Sequence, residues 1–216
     1  MTYAELSTAI QDHSEYSYDS TFVANIPLFV KQTEQQVWNK FYLVAYRKVT
    51  TSLVTTDGNR SITLPDDLLE IALFGTVTAN LATWMTERDV SFIKEYWPNQ
   101  LTEGIPKYFA LEAASGAANS IKAILAPTPN AALATELDYY FRPESCVSAA
   151  GGSWLSDNFD GVLLYGSLYH GAIYMKEGDM LAVYRARFDE AMSELGRHGE
   201  IRARSTAYQL GEGKAS

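Results

Sequence analysis

The feature that most constrains this chain is a change of hydrophobic period that happens twice. Apolar residues recur at helical spacing at both ends and in strand-like runs between them. Near the N-terminus, Tyr3, Leu6 and Ile10 fall on one face and predict a helix over 3–13. Phe22, Ile26, Phe29, Val30, Val37 and Phe41 trace a second stripe over 21–42, with Asp19 or Ser20 as the candidate cap. Pro27 sits inside that stripe and predicts a short first turn followed by a main helix starting near the proline. Toward the other end, helices are expected over 156–176 and 179–204. Gly178 is the expected C-cap and Asp179 the expected N-cap, and so short a connection makes the two antiparallel neighbours.

Between them the period changes. The stretch 43–56 is rich in Val, Thr and Tyr and predicts a strand. Asp57-Gly58-Asn59 is a turn signal, and Ser61–Leu64 is expected to return as the hairpin partner. Further strands are expected over 68–77 and 79–86, then a short helix over Val90–Tyr96, capped by Asp89 and stopped by Pro98. After Gly104–Pro106, strands over 107–112, 120–126 and 135–142 predict an antiparallel meander; in the last, Leu137, Tyr139 and Phe141 alternate against Asp138 and Tyr140. The expected class is α+β: a helical bundle of two N-terminal and two C-terminal helices with antiparallel β-hairpins inserted between them. One domain is expected over 1–205, with helices at 3–42 and 156–204 and β regions at 43–86 and 106–142. A small, polar, flexible tail follows at 206–216. Phe29, Val37, Leu164, Leu168, Phe188 and Leu195 are the expected bundle core.

Composition narrows the function. The 216 residues are 47% hydrophobic, enough for a real core. A formal net charge of −9 argues against general binding of a phosphate backbone, which needs clustered Lys and Arg. The single cysteine, Cys146, forms no internal disulfide or cysteine cluster. The first residues carry no secretory signal, and no apolar run approaches the ~20 residues needed to cross a bilayer. A chain made in the cytosol is expected. Fourteen tyrosines and four tryptophans suit either a core or an interface.

Motifs for chemistry are missing. His13, His170 and His198 lie far apart, with no second ligand at metal spacing. Ser167, in Tyr165-Gly166-Ser167-Leu168, lacks the second glycine of a nucleophile elbow, and Cys146 has no base beside it. No phosphate loop or dinucleotide fingerprint is present. No catalytic residue, metal or cofactor is expected. Gly161, Gly166 and Gly171 recur along one helix, each costing about 1 kcal/mol against alanine, so close helix approach is expected to compensate.

Several segments together resemble the head-to-tail adaptor proteins of tailed bacteriophages, mostly those with short tails. They are Phe29–Val37, Ser61–Glu70, Gly104–Ala110, Ala123–Pro129, Leu137–Pro143, Trp154–Asp160 and Leu163–Leu168. The resemblance runs from about residue 20 to residue 205. It implies a structural virion protein without catalysis, found at the neck of the particle. Such a protein forms a ring below the portal, usually dodecameric, extends the DNA channel and attaches the tail. Implied partners are further copies of itself, the portal and a tail or nozzle protein, with genomic DNA passing unbound and no membrane involved. Other neck components, such as head-completion or tail-terminator proteins, share these traits; a small-molecule enzyme is the reading from another class. The C-terminal segment turns basic through Arg197, Arg202 and Arg204 and carries Tyr208 and Leu210 as anchors. On chemistry alone it is a solvated helix end; with the resemblance it is expected to dock on the portal. The Asp57, Gly58, Asn59 and Arg60 hairpin is expected to project and to touch a neighbouring copy or the tail.

Overall fold

The computed structural model describes residues 1–79, 81–114 and 120–212, with side chains through Gly199. In chain order the elements are α1 (Tyr3–Ser14), α2 (Ser20–Lys40), β1 (Arg47–Thr50), β2 (Ser61–Thr63), β3 (Leu68–Thr78), β4 (Leu81–Trp84), β5 (Thr86–Glu87) and α3 (Val90–Tyr96). There follow β6 (Glu103–Gly104), β7 (Tyr108–Ala113), β8 (Ile121–Ala126), β9 (Thr128–Pro129), β10 (Ala134–Phe141), α4 (Trp154–Asn158), α5 (Asp160–Met175) and α6 (Gly178–Glu212). The class is α+β, as the two changes of period predict. The chain divides into two compact units. One is helical, Met1–Ala45 with Pro143–Ser216; the other is built on strands, Tyr46–Arg142.

In the helical unit, α5 packs against α1, α2, α4 and α6. Thr2 and Glu5 cap α1 reciprocally, and the Asp19 carboxylate accepts from the backbone N–H groups of Thr21 and Phe22 at the start of α2. Pro27 does not break α2, which runs unbroken through it. An interior proline costs about 3 kcal/mol; here Phe22, Ile26, Phe29 and Val30 are buried on the same helix and hold it together. Of the expected core, Phe29, Val37, Leu168, Phe188 and Leu195 are buried, while Leu164 is only half-buried and Leu163 takes the interior position. The helix expected over 156–176 is two helices. A capping box of Ser153 and Ser156 starts α4, and Phe159, at φ −142° and ψ 53°, separates it from α5. The connection to α6 also differs. Lys176, at φ 61°, closes α5 in place of Gly178, with Glu177 N–H donating to Ala172 O at 2.9 Å, and α6 already includes Gly178.

Glycine spacing in α5 has two meanings. A Cβ on Gly166 would lie 2.3 Å from Thr33 Cγ2 and 2.8 Å from Phe188, and one on Gly171 would lie 3.0 Å from Phe22. These two positions admit α2 and α6. Gly161 meets nothing within 4 Å, so close packing does not account for it.

In the β unit, two four-stranded sheets run in the orders β1-β10-β3-β4 and β2-β8-β7-β5, and β6 pairs with β9. Phe74, Leu137 and Tyr139 of the first sheet meet Ile62, Phe109 and Leu125 of the second in one buried cluster. On the second sheet, Ile93 of α3 is buried with Ala110, Ile124 and Ala126. The residue limits of α3 and its Asp89 cap match the expectation. Two pairings do not. The hairpin expected from 43–56 with 61–64 does not form: β1 pairs with β10, β2 pairs with β8, and only Thr56 and Asn59 bridge across the turn. The expected meander also divides, with β7 and β8 in one sheet and β10 in the other. Alternation tells a strand which face to bury and leaves open which edge it joins.

Candidate interaction surfaces

The turn at Asp57–Asn59 is exposed and held by its backbone. Gly58 adopts φ 69°, which suits glycine. Its N–H donates to Pro129 O at 3.0 Å, and Asn59 Oδ1 accepts from Ser61 N–H at 2.9 Å. The loop is therefore tied to β9, where a free two-stranded hairpin was expected.

Arg60 follows at the entrance to β2. It lines a groove of about 430 Å³ with Lys94, Trp97, Glu112, Lys122 and Ile124. Lys122 Nζ lies 3.0 Å from Glu112 Oε2 across the β7–β8 ladder. Sequence reading named Arg60 and missed the other members. Only the β7–β8 register, which sets Glu112 opposite Lys122, and the packing of α3 on β7 bring them to one place.

In the helical unit, Arg197 and His198 of α6 line a second groove of about 560 Å³ with Phe159, Asp160, Val162 and Glu194. The His198 ring lies 5.3 Å from Phe159 and 6.2 Å from Trp154, centroid to centroid. Arg202, Arg204, Tyr208 and Leu210 lie along the backbone of α6, and their side chains fall outside the described residues.

The groups weighed for chemistry are packed or hydrogen-bonded. His13 Nδ1 lies 2.8 Å from Ala9 O, and His170 Nε2 lies 3.2 Å from Gln36 Nε2, with burial lowering the pKa of His170. Ser167 Oγ is buried without a hydrogen-bond partner among the described residues. Cys146 is fully buried beside Glu34, whose Oε1 accepts from Cys146 N–H at 2.8 Å. Burial, and then the nearby carboxylate, push its thiol pKa to about 12. Among the described residues, no cluster of His, Cys, Asp and Glu has the makings of a metal site, and no helix is long and apolar enough to cross a membrane.

Comparison with known families matches residues 1–210 to the SU10 adaptor protein model, and the chain belongs to that family of phage head–tail adaptors. It is a structural phage protein that joins head and tail components. No curated protein matches the chain.

Proposed function

We propose that the chain assembles as a ring below the portal, extends the DNA channel and attaches the tail to the capsid at the neck of the virion. The family match over residues 1–210 carries this reading. Such a ring is built from heterologous contacts, in which two different surfaces of each copy meet. A net charge of −9 suits a wall past which DNA moves without being held. In this reading the end of α6, with Arg197, Arg202, Arg204, Tyr208 and Leu210, meets the portal. The turn at Asp57–Arg60 meets a neighbouring copy or the tail.

The test is co-sedimentation with purified portal rings. Cutting the chain after Gly196 is a poor probe, because His198 packs on Phe159 and a Cβ at Gly199 would lie 3.2 Å from Leu43. The full chain carrying Arg202→Glu and Arg204→Glu leaves those contacts intact. It is expected to melt like the parent and to lose portal binding, and added salt is expected to weaken the parent's binding. Undiminished binding by the double variant would move the docking role elsewhere. Imaging of purified particles, locating the chain relative to the portal, tests the ring itself.

A further inference from the structure

The groove beside α3 contains a cation with no counter-ion among the described residues. The Arg60 carbonyl accepts from Leu125 N–H at 2.7 Å, so the backbone is fixed in the sheet. Among the described residues its buried Nε has no hydrogen-bond partner and the residue takes part in no ion pair. Three other cations of the same unit are paired: Arg47 with Asp138, Lys48 with Asp67 and Lys122 with Glu112. A partly desolvated guanidinium costs free energy unless an anion meets it. The same desolvation lowers the pKa of Arg60.

We propose that this groove binds a carboxylate side chain of an acidic protein segment, with Arg60 providing the hydrogen-bonding fork. The planar guanidinium matches a carboxylate edge to edge, which a lysine does not. Lys94 and Lys122 supply a positive field, and Trp97 and Ile124 offer an apolar wall for the carbon stem of the incoming side chain. Three cations against the single carboxylate of Glu112 leave a formal surplus of positive charge in an acidic chain. DNA fits the groove poorly. Backbone binding needs a run of phosphate contacts, whereas here three cations converge on one cavity and Glu112 stands in its wall. The inference gives chemistry to the contact proposed above for Arg60. It rests on that reading only for which protein brings the carboxylate.

Nitrogen-15 spectroscopy of the full chain reads the site directly, through the Arg60 Nε–Hε resonance. A capped glutamate hexamer is expected to shift that resonance saturably, with affinity that falls as salt rises. Arg60→Lys keeps the charge and loses the fork, and is expected to weaken binding about tenfold. Its melting temperature should not change, since Arg60 has no partner to lose. Lys94→Gln provides an independent variant, with a smaller loss of affinity. Absence of a saturable shift, equal binding by the parent and Arg60→Lys, or inorganic phosphate binding as tightly as the peptide would overturn the proposal. So would a short DNA duplex binding more tightly than the peptide. The titration needs no assembly. A failed titration with the chain still imaged at the head–tail junction removes this inference alone, and a successful one with the chain absent from the junction removes the ring.

Discussion

In the β unit buried threonine hydroxyls tie loops to the sheets, whereas in the helical unit glycines make room for neighbouring helices. Thr55, Thr128 and Thr135 donate to the carbonyls of Ala131, Gln100 and Leu53 at 2.9, 2.7 and 2.7 Å. Arg47 Nε meets Asp138 at 2.8 Å. The threonine bonds fasten irregular segments whose carbonyls lie outside the strands. In the helical unit the helices satisfy their own backbone, and the interior is shaped mainly by clearance at Gly166 and Gly171. Each unit has buried polar atoms without hydrogen bonds among the described residues: Arg60 Nε and Thr76 Oγ1 in the β unit, Glu34 Oε2 and Ser167 Oγ in the helical unit. Side-chain hydroxyls thus fasten the loops of the β unit, and steric fit spaces the helices of the helical unit.

Substitutions that separate fit from hydrogen bonding sharpen that contrast. Leu168→Ala, at a residue only 1% exposed, is expected to cost about 2–5 kcal/mol, read as a lowered melting midpoint. Gly166→Ala adds only a methyl group, yet it drives Cβ into Thr33 and Phe188. A loss of about 1–3 kcal/mol is expected from overpacking, and Thr33→Ala in the same chain should recover part of it. An unchanged midpoint for Gly166→Ala would show that clearance does not organise the helices. Thr135→Val in the β unit removes a donor of nearly equal shape and should cost about 1 kcal/mol. Ser167→Ala in the helical unit removes an unpartnered hydroxyl and should be neutral or stabilising. Equal losses at the two sites, by denaturant titration, would erase the distinction. A small gain is expected at Gly161→Ala. With open space around it, the change should stabilise α5 by about 0.5–1 kcal/mol.

The same contrast explains what was legible in the sequence. Helical periodicity placed the buried faces of α1, α2 and α5, because each face is a local property of one segment. It failed by one position at Leu164, and it overweighted Pro27, whose cost is set against packing contributed by neighbouring residues. Single strands such as β7, β8 and β10 were legible too, the last from its alternation. Their partners were not, because pairing of β10 with β1 and β3 joins segments far apart in the chain, and nothing local encodes an edge. For the same reason the groove around Arg60 was visible only as one residue. Its other walls come from α3, β7 and β8.

The burial of Cys146 has a practical side. A raised thiol pKa favours the protonated form, so this contribution to stability is complete below the unfolded value of about 9 and is lost as pH rises toward about 12. At neutral pH the sulfur is shielded and uncharged, and reagents that need a thiolate should leave the native chain unmarked. The folded protein thus has no competing reactive handle of its own. A cysteine introduced on the surface, at the Asp57–Asn59 turn for example, would carry a dye or spin probe alone, and neighbouring copies in an assembly would be measured from one known point.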